Sequence, residues 1–315
     1  MRIRLKSLNA TLLFFHLCAA VLINGTQVAE AQIAFTAGDF FAKADVYVMA
    51  LDGKNIKQIT LHELYDGEPT WSPNGEHIAF VSERNGPFFE IYVTSVNRRK
   101  PVNLTQHPAE DSAPAWSPDG TQLAFVSERE GNVDIYIMNP DGTNLKRLTK
   151  HPGLDNQPAW SPDGTQLAFE STRIFGSDIF IMNANGTNIR QITTSRFWET
   201  EPAWAPDGKR IVYASYRNKI WDIYIIDVNG NNETNLTSSK SNDKHPTWSP
   251  DGQQIVYESE RGGIYSIYIM NIGDRERAAI AKDMKLSIQP AWSPKSLSVS
   301  RKGKLSTRWG TLKAK

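Results

Sequence analysis

The sequence predicts an all-β protein, a six-bladed β-propeller of four-stranded antiparallel blades, and two observations carry that prediction. The first is a segment reading Pro-Ala-Trp-Ser-Pro-Asp-Gly at Pro114 to Gly120. It returns with small changes around Trp71, Trp116, Trp160, Trp204, Trp248 and Trp292, at steps of 45, 44, 44, 44 and 44 residues. Self-similarity at a fixed period of this length marks a repeat architecture. The second observation lies inside each period. Apolar runs of three to five residues, rich in β-branched and aromatic types, alternate with turn residues. Beyond residue 31 no segment keeps a helical period over ten residues.

Residues 1–31 read as a secretory signal peptide. Arg2, Arg4 and Lys6 form a basic start, Thr11 to Ile23 is a mostly apolar run of 13 residues, and Ala29-Glu30-Ala31 offers a cleavage site after Ala31. That run is short for a transmembrane span. Cleavage removes Cys18, the only cysteine, so the expected periplasmic or secreted protein has no disulfide framework.

The propeller is expected over residues 32–294. In one complete copy, strand A is Pro114-Ala115-Trp116, strand B is Leu123 to Ser127, strand C is Asp134 to Met138 and strand D is Leu145 to Thr149. Ser-Pro-Asp-Gly between A and B suits a type I turn: proline presets φ, the Ser and Asp side chains bond nearby backbone, and glycine accepts positive φ. Asp52-Gly53, Asp141-Gly142, Asn185-Gly186 and Asn229-Gly230 do the same between C and D. The chain enters at strand B (Ile33-Ala34-Phe35) and its last clear repeat ends at strand A (Pro290-Ala291-Trp292). The ends should therefore share a blade, which removes the open sheet edges. The expected blades are 33–60 with 288–292, then 68–105, 113–149, 157–193, 201–237 and 245–281.

The Pro-x-Trp-Ser-Pro-Asp-Gly…Ile-Ala-Phe…Asp-Ile-Tyr pattern resembles the TolB-like propeller repeats, over about residues 32–294. These repeats occur in periplasmic TolB and, more distantly, beside the hydrolase domain of prolyl-oligopeptidase-type enzymes. TolB proteins carry an α/β domain before the propeller; here the signal runs almost directly into Ile33. A Gly-x-Ser-x-Gly nucleophile elbow, a histidine-glutamate metal motif and a phosphate-cradling glycine loop are all missing from the sequence, so no enzyme is expected.

Charge is uneven along the chain. Lys295, Arg301, Lys302, Lys304, Arg308, Lys313 and Lys315 make 295–315 a basic tail without acids, expected to be disordered and able to touch an anionic surface. The body between signal and tail is acidic, which argues against nucleic-acid binding.

Five repeated arginines, Arg84, Arg129, Arg173, Arg217 and Arg261, follow strand B. Each is expected to pair, as scaffold, with the acid opening strand C (Glu90, Asp134, Asp178, Asp222), except that Ser266 faces Arg261 and the first blade has Asp39 where an arginine is expected. The tryptophans are expected to fill the space between blades. Asp66, Asp111, Asp155, Glu199 and Asp243 stand three residues before the strand-A prolines, with Ser287 in the sixth copy. As innermost-strand residues they are the candidate carboxylate ring of a channel mouth, with calcium the hard cation such a ring would take. His62, His107 and His151, just after strand D, lie too far apart to share a metal ion and are expected at the surface.

Repeat proteins keep scaffold positions alike and vary the binding face. The A–B and C–D turns are near-identical, whereas the B–C and D–A loops carry blade-specific aromatics: Phe88, Phe89, Phe175, Phe197, Trp198, Tyr216, Trp221 and Tyr265. The sequence thus points to a non-catalytic, monomeric binding module that engages a cell-envelope protein through the B–C/D–A face. The alternative is a propeller enzyme or carbohydrate-binding domain that uses the channel mouth with a bound cation.

Overall fold

A computed structural model describes residues 31–40, 43–281, 284 and 286–294. The predicted signal up to residue 30 and the tail 295–315 lie outside the described residues, as does the side chain of Asp39. Twenty-four strands, β1 to β24 in chain order, form six four-stranded antiparallel sheets, and no helix occurs among the described residues. Blade 1 has the order β24-β1-β2-β3, from Leu286–Trp292, Gln32–Phe40, Lys43–Ala50 and Lys57–Gln58. Each later blade takes four consecutive strands: β4–β7 (66–103), β8–β11 (111–147), β12–β15 (155–191), β16–β19 (198–235) and β20–β23 (242–279).

The predicted closure is present. Ile33 pairs with Trp292 and Ala34 with Ala291 across β1 and β24, so the C-terminal strand supplies the inner strand of the N-terminal blade.

The core lies between blades rather than within them. Six clusters each join two neighbouring sheets, and each holds one strand-A tryptophan. Trp116, for example, packs with Val81, Ile91 and Leu104 of blade 2 and with Phe125 and Tyr136 of its own blade. Three tryptophans also donate their indole N–H to the preceding blade: Trp71 to the Ala291 carbonyl (3.2 Å), Trp160 to Ala115 (3.1 Å) and Trp248 to Ala203 (3.3 Å).

The turns follow their chemistry. In the A–B turn, Ser117 Oγ donates to Asp119 Oδ1 (2.6 Å) and accepts from Gln122 N–H (2.9 Å). The C–D glycines have a second duty besides positive φ: a Cβ on Gly142 would stand 2.7 Å from the Leu104 carbonyl oxygen of the preceding blade. The A–B and C–D turns share a face, as the Ala184 N–H to Thr165 carbonyl bond shows.

Strand A carries the feature that shapes the channel. Its pairing with strand B slips between Gly67 and Thr70, and likewise at Ser112/Ala115, Asn156/Ala159, Thr200/Ala203 and Lys244/Thr247. Proline cannot donate to a ladder and sits at edges or bulges. The residue before it turns left-handed in all six copies: Glu68, Ala113, Gln157, Glu201, His245 and Gln289 have φ between 49° and 57°.

Candidate functional site

The expected carboxylate ring proves to be interior scaffold. Asp66, Asp111, Asp155, Glu199 and Asp243, and Ser287 in the sixth copy, are all fully buried. Four of them hold the repeated arginine of their own blade: Arg84–Asp66 at 2.6 Å, Arg129–Asp111 at 3.0 Å, Arg173–Asp155 at 2.8 Å and Arg217–Glu199 at 2.9 Å. Asp243 accepts instead from Ser259 (2.6 Å) and Ser239 (3.0 Å), while Arg261 lies over Tyr268. These acids are not an open electronegative rim.

The same geometry corrects the expected arginine pairing. Arg84, Arg129 and Arg173 cross from the end of strand B to the start of strand A, over the paired strand-B and strand-C rings, and Arg217 reaches Glu199 over Phe197 and Tyr224. Arg129 lies 5.3 Å from the Phe125 ring and 5.0 Å from Tyr136. The acids opening strand C look the other way, to strand D. Asp134 binds Arg147 (2.5 Å), Asn103 donates to Glu90, Asn235 donates to Asp222 (3.0 Å), and Thr193 reaches Asp178 (3.4 Å). The spacing along the B–C hairpin suggested proximity. Alternation sent the two side chains to different neighbours.

The histidines after strand D act locally. His62 Nδ1 accepts from Leu64 N–H (3.2 Å) and His151 Nδ1 from Gly153 N–H (2.9 Å), so both shape their turns and are half-buried rather than fully exposed.

What lines the channel is the residue immediately before each strand-A proline. A cavity of about 310 Å³ runs along the axis, bounded by Glu68, Ala113, Gln157, Glu201, His245 and Gln289 with the prolines that follow them and with Trp116, Trp160 and Trp204. The backbone strain at these six residues has a local cause. Each turned-in N–H is met by a side chain: Glu68 by Gln289 (3.1 Å), Ala113 by Glu68 (2.7 Å), Gln157 by Asn156 (2.8 Å), His245 by Glu201 (2.6 Å) and Gln289 by Glu258 (3.0 Å). The Glu201 N–H goes to the Glu170 carboxylate. In five of the six the acceptor comes from the preceding blade, so the ring is stitched around the channel.

This ring is charged. His245 is held between Glu201 (3.2 Å from Nε2) and Glu258 (2.9 Å from Nδ1). Burial alone would lower its pKa, but the two carboxylates carry it up to about 9, so it is an imidazolium at neutral pH. His245 in turn holds Glu258 below its usual value against the effect of burial. Glu170 is pushed up to about 8, by burial first and by Glu201 second. Burial likewise raises Glu68, which faces Glu201 across the six-fold ring. The sequence signal for these residues was available: within an otherwise uniform strand A, the position before proline reads Glu, Ala, Gln, Glu, His, Gln.

On the B–C/D–A face the predicted aromatics divide into two groups. Phe89 and Trp221 are half-buried and pack against core clusters, and Tyr265 is half-buried. Phe88, Phe175, Phe197, Trp198 and Tyr216 are exposed, Phe175 by 89% and Trp198 by 62%. Leu61, Leu64, Leu154, Ile174 and Ile264 add further exposed apolar side chains on the same face. The densest group is Leu154, Ile174, Phe175, Phe197, Trp198 and Tyr216 on blades 4 and 5. There the two loop types are joined by a bridge between Ser177 and Trp198.

Six blades closed by a C-terminal inner strand around a polar channel define a six-bladed β-propeller. The family model described as TolB beta propeller domain matches residues 88–220 and 195–304, and the chain belongs to that family. Among solved structures, TolB from Acinetobacter baumannii is similar with 24% identity and a TM-score of 0.76, over 84% of this chain and 67% of that one. A putative TolB from Agrobacterium tumefaciens gives 21%, 0.66, 80% and 88% in the same order. A chain of a nidogen/laminin complex gives 10%, 0.69, 85% and 100%. At these identities the likeness is one of fold. No curated protein sequence matches the chain.

Proposed function

We propose that this propeller is a non-catalytic binding module of the cell envelope, exported to the periplasm or beyond, that engages a protein partner through its B–C/D–A face. The observation that carries the reading is the concentration of exposed apolar side chains on that face, headed by Phe175 and Trp198, over a scaffold whose other positions repeat. Family membership supports a binding role rather than a catalytic one.

The test is crosslinking and pull-down of the protein from its own cell envelope, with wild type beside Phe175→Ala/Trp198→Ala. Recovery of a discrete partner by wild type, lost in the double variant at unchanged melting temperature, is the expected result. Equal recovery by both proteins, or no partner at all, defeats the reading. A chelator arm asks whether calcium takes part: a partner lost on chelation places a cation in the complex.

A further inference from the structure

The loop face is not evenly charged. On blades 2 and 3 the loops expose Glu63, Glu128 and Glu130. On blades 4 to 6 they expose Arg196, Lys219 and Lys240, none of which forms an ion pair among the described residues. The loop-end acids of this second half, Asp178, Glu199, Asp222, Asp243 and Glu260, are buried or half-buried and already bonded to Thr193, Arg217, Asn235, Ser259 and Asn242. The exposed Phe175 and Trp198 stand in this basic half.

Blades 5 and 6 also rise above blades 2 to 4. Their B and C strands are eight residues long, against five or six there, and end in two-residue turns; the B and C strands of blade 1 are nine and eight residues long. In blade 6 that turn is Gly262-Gly263, with φ of 62° and 81°. In blade 5 it is Asn218-Lys219, with φ of 55° and 68°. A lysine at positive φ is held where glycine fits at less cost. Nothing in the fold requires its side chain, and it carries its charge to the crest of the wall. Below it, Tyr216 packs on Trp221 (5.2 Å) and the Lys244 ammonium lies 4.2 Å over the Trp221 ring, continuing the basic surface toward the channel.

We infer that the basic, aromatic half of the face, blades 4 to 6, docks an acidic polypeptide segment that also carries apolar side chains. This rests on the protein-binding reading above and specifies the partner's chemistry. Exposed aromatic side chains would take the segment's apolar groups, and Arg196, Lys219 and Lys240 its carboxylates. A flat anionic bilayer fits less well, because it would press on the exposed acids of blades 2 and 3 as well.

The experiment selects random 12-residue peptides displayed on phage against the purified full chain. It is repeated with Arg196→Glu/Lys219→Glu/Lys240→Glu, with Phe175→Ala/Trp198→Ala and with Lys219→Gly. Enrichment of peptides combining Asp or Glu with Leu, Phe or Trp is expected. Binding should weaken by about tenfold or more in the charge-reversed protein and fall with added salt. Lys219→Gly should weaken binding without lowering the melting temperature, since glycine occupies the equivalent turn in blade 6.

Enriched peptides without acidic residues, or unaffected by charge reversal, overturn the proposed chemistry. If they still depend on Phe175 and Trp198, the protein-binding reading stands. Failure to enrich any peptide overturns this inference alone, provided the envelope partner is still captured. Retention of the chain on phosphatidylglycerol/phosphatidylcholine vesicles through the same residues, with no peptide enriched, assigns the surface to a membrane instead.

Discussion

Arg129 and Asp111 show how a repeated ion pair works in this protein. The Asp111 side chain is fully buried and Arg129 nearly so, and two guanidinium contacts of 3.0 and 3.1 Å join them. Removing one partner from a buried pair leaves an unpaired charge, which typically costs about 3–5 kcal/mol. Arg129→Ala should therefore lower unfolding stability by about that much in urea titrations; a loss well under 1 kcal/mol would place the pair among weak surface contacts. Glu170 tests the channel wall. Its folded pKa of about 8 lies above the ordinary 4.5, so the folded state holds its proton more tightly than the unfolded chain. The stability this contributes is complete below about pH 4.5 and is lost as pH rises toward 8. Glu170→Gln should melt like wild type at pH 5 and above it at pH 8 to 9. His245 adds a loss of the same sign between 6.5 and about 9, common to both proteins. Equal melting temperatures at the two pH values would show that Glu170 is ionised throughout.

At the scale of elements, the turns were legible in the sequence and the bulges were not. Ser-Pro-Asp-Gly and Asn-Gly state their backbone geometry through residue type, and the structure follows them. Strand A looked like a plain strand in which the acid three residues before proline faced the channel. The bulge at x-Pro changes the alternation, so Asp66 is enclosed while Glu68 lines the cavity. Only the mixed identities before proline hinted at this. The arginine pairing was missed for a related reason: spacing within one hairpin says nothing about which adjacent strand a side chain leans toward. Two glycines separate local from inter-blade constraint. Gly131 and Gly142 have φ of 79° and 82°, but a Cβ on Gly131 meets nothing within 4 Å, whereas one on Gly142 meets the Leu104 carbonyl at 2.7 Å. Gly131→Ala should cost about 1–2 kcal/mol, the strain of left-handed backbone alone. Gly142→Ala should cost distinctly more, because the blade contact must open. Equal losses in chemical denaturation would mean that the C–D turn moves freely against its neighbour.

The whole molecule is a ring whose cohesion lies between blades, so each blade is stable only while both neighbours are present. Period and turn chemistry made this architecture readable, including the closure, because a first repeat lacking strand A before Ile33 and a last strand A at Trp292 without its own blade were both visible. The binding face was readable only in outline: variation marked the loops, but not which aromatics tuck into the core, as Phe89 and Trp221 do. Closure also sets a whole-molecule prediction. Removing 286–315 takes away β24, leaves the inner edge of β1 unpaired and strips Trp292 from the cluster of Ile33, Phe35, Met49 and Ile267. Loss of a buried Trp alone costs about 3–5 kcal/mol, and an open edge adds a template for association. The shortened protein should aggregate on size-exclusion chromatography, expose apolar surface to a hydrophobic dye and melt in a broad, non-two-state transition. Removing only 295–315 should leave all three readouts unchanged, since β24 remains. A cooperative, monomeric protein without 286–315 would show that five complete blades hold the sixth without its inner strand, and that the closing strand contributes little to the ring.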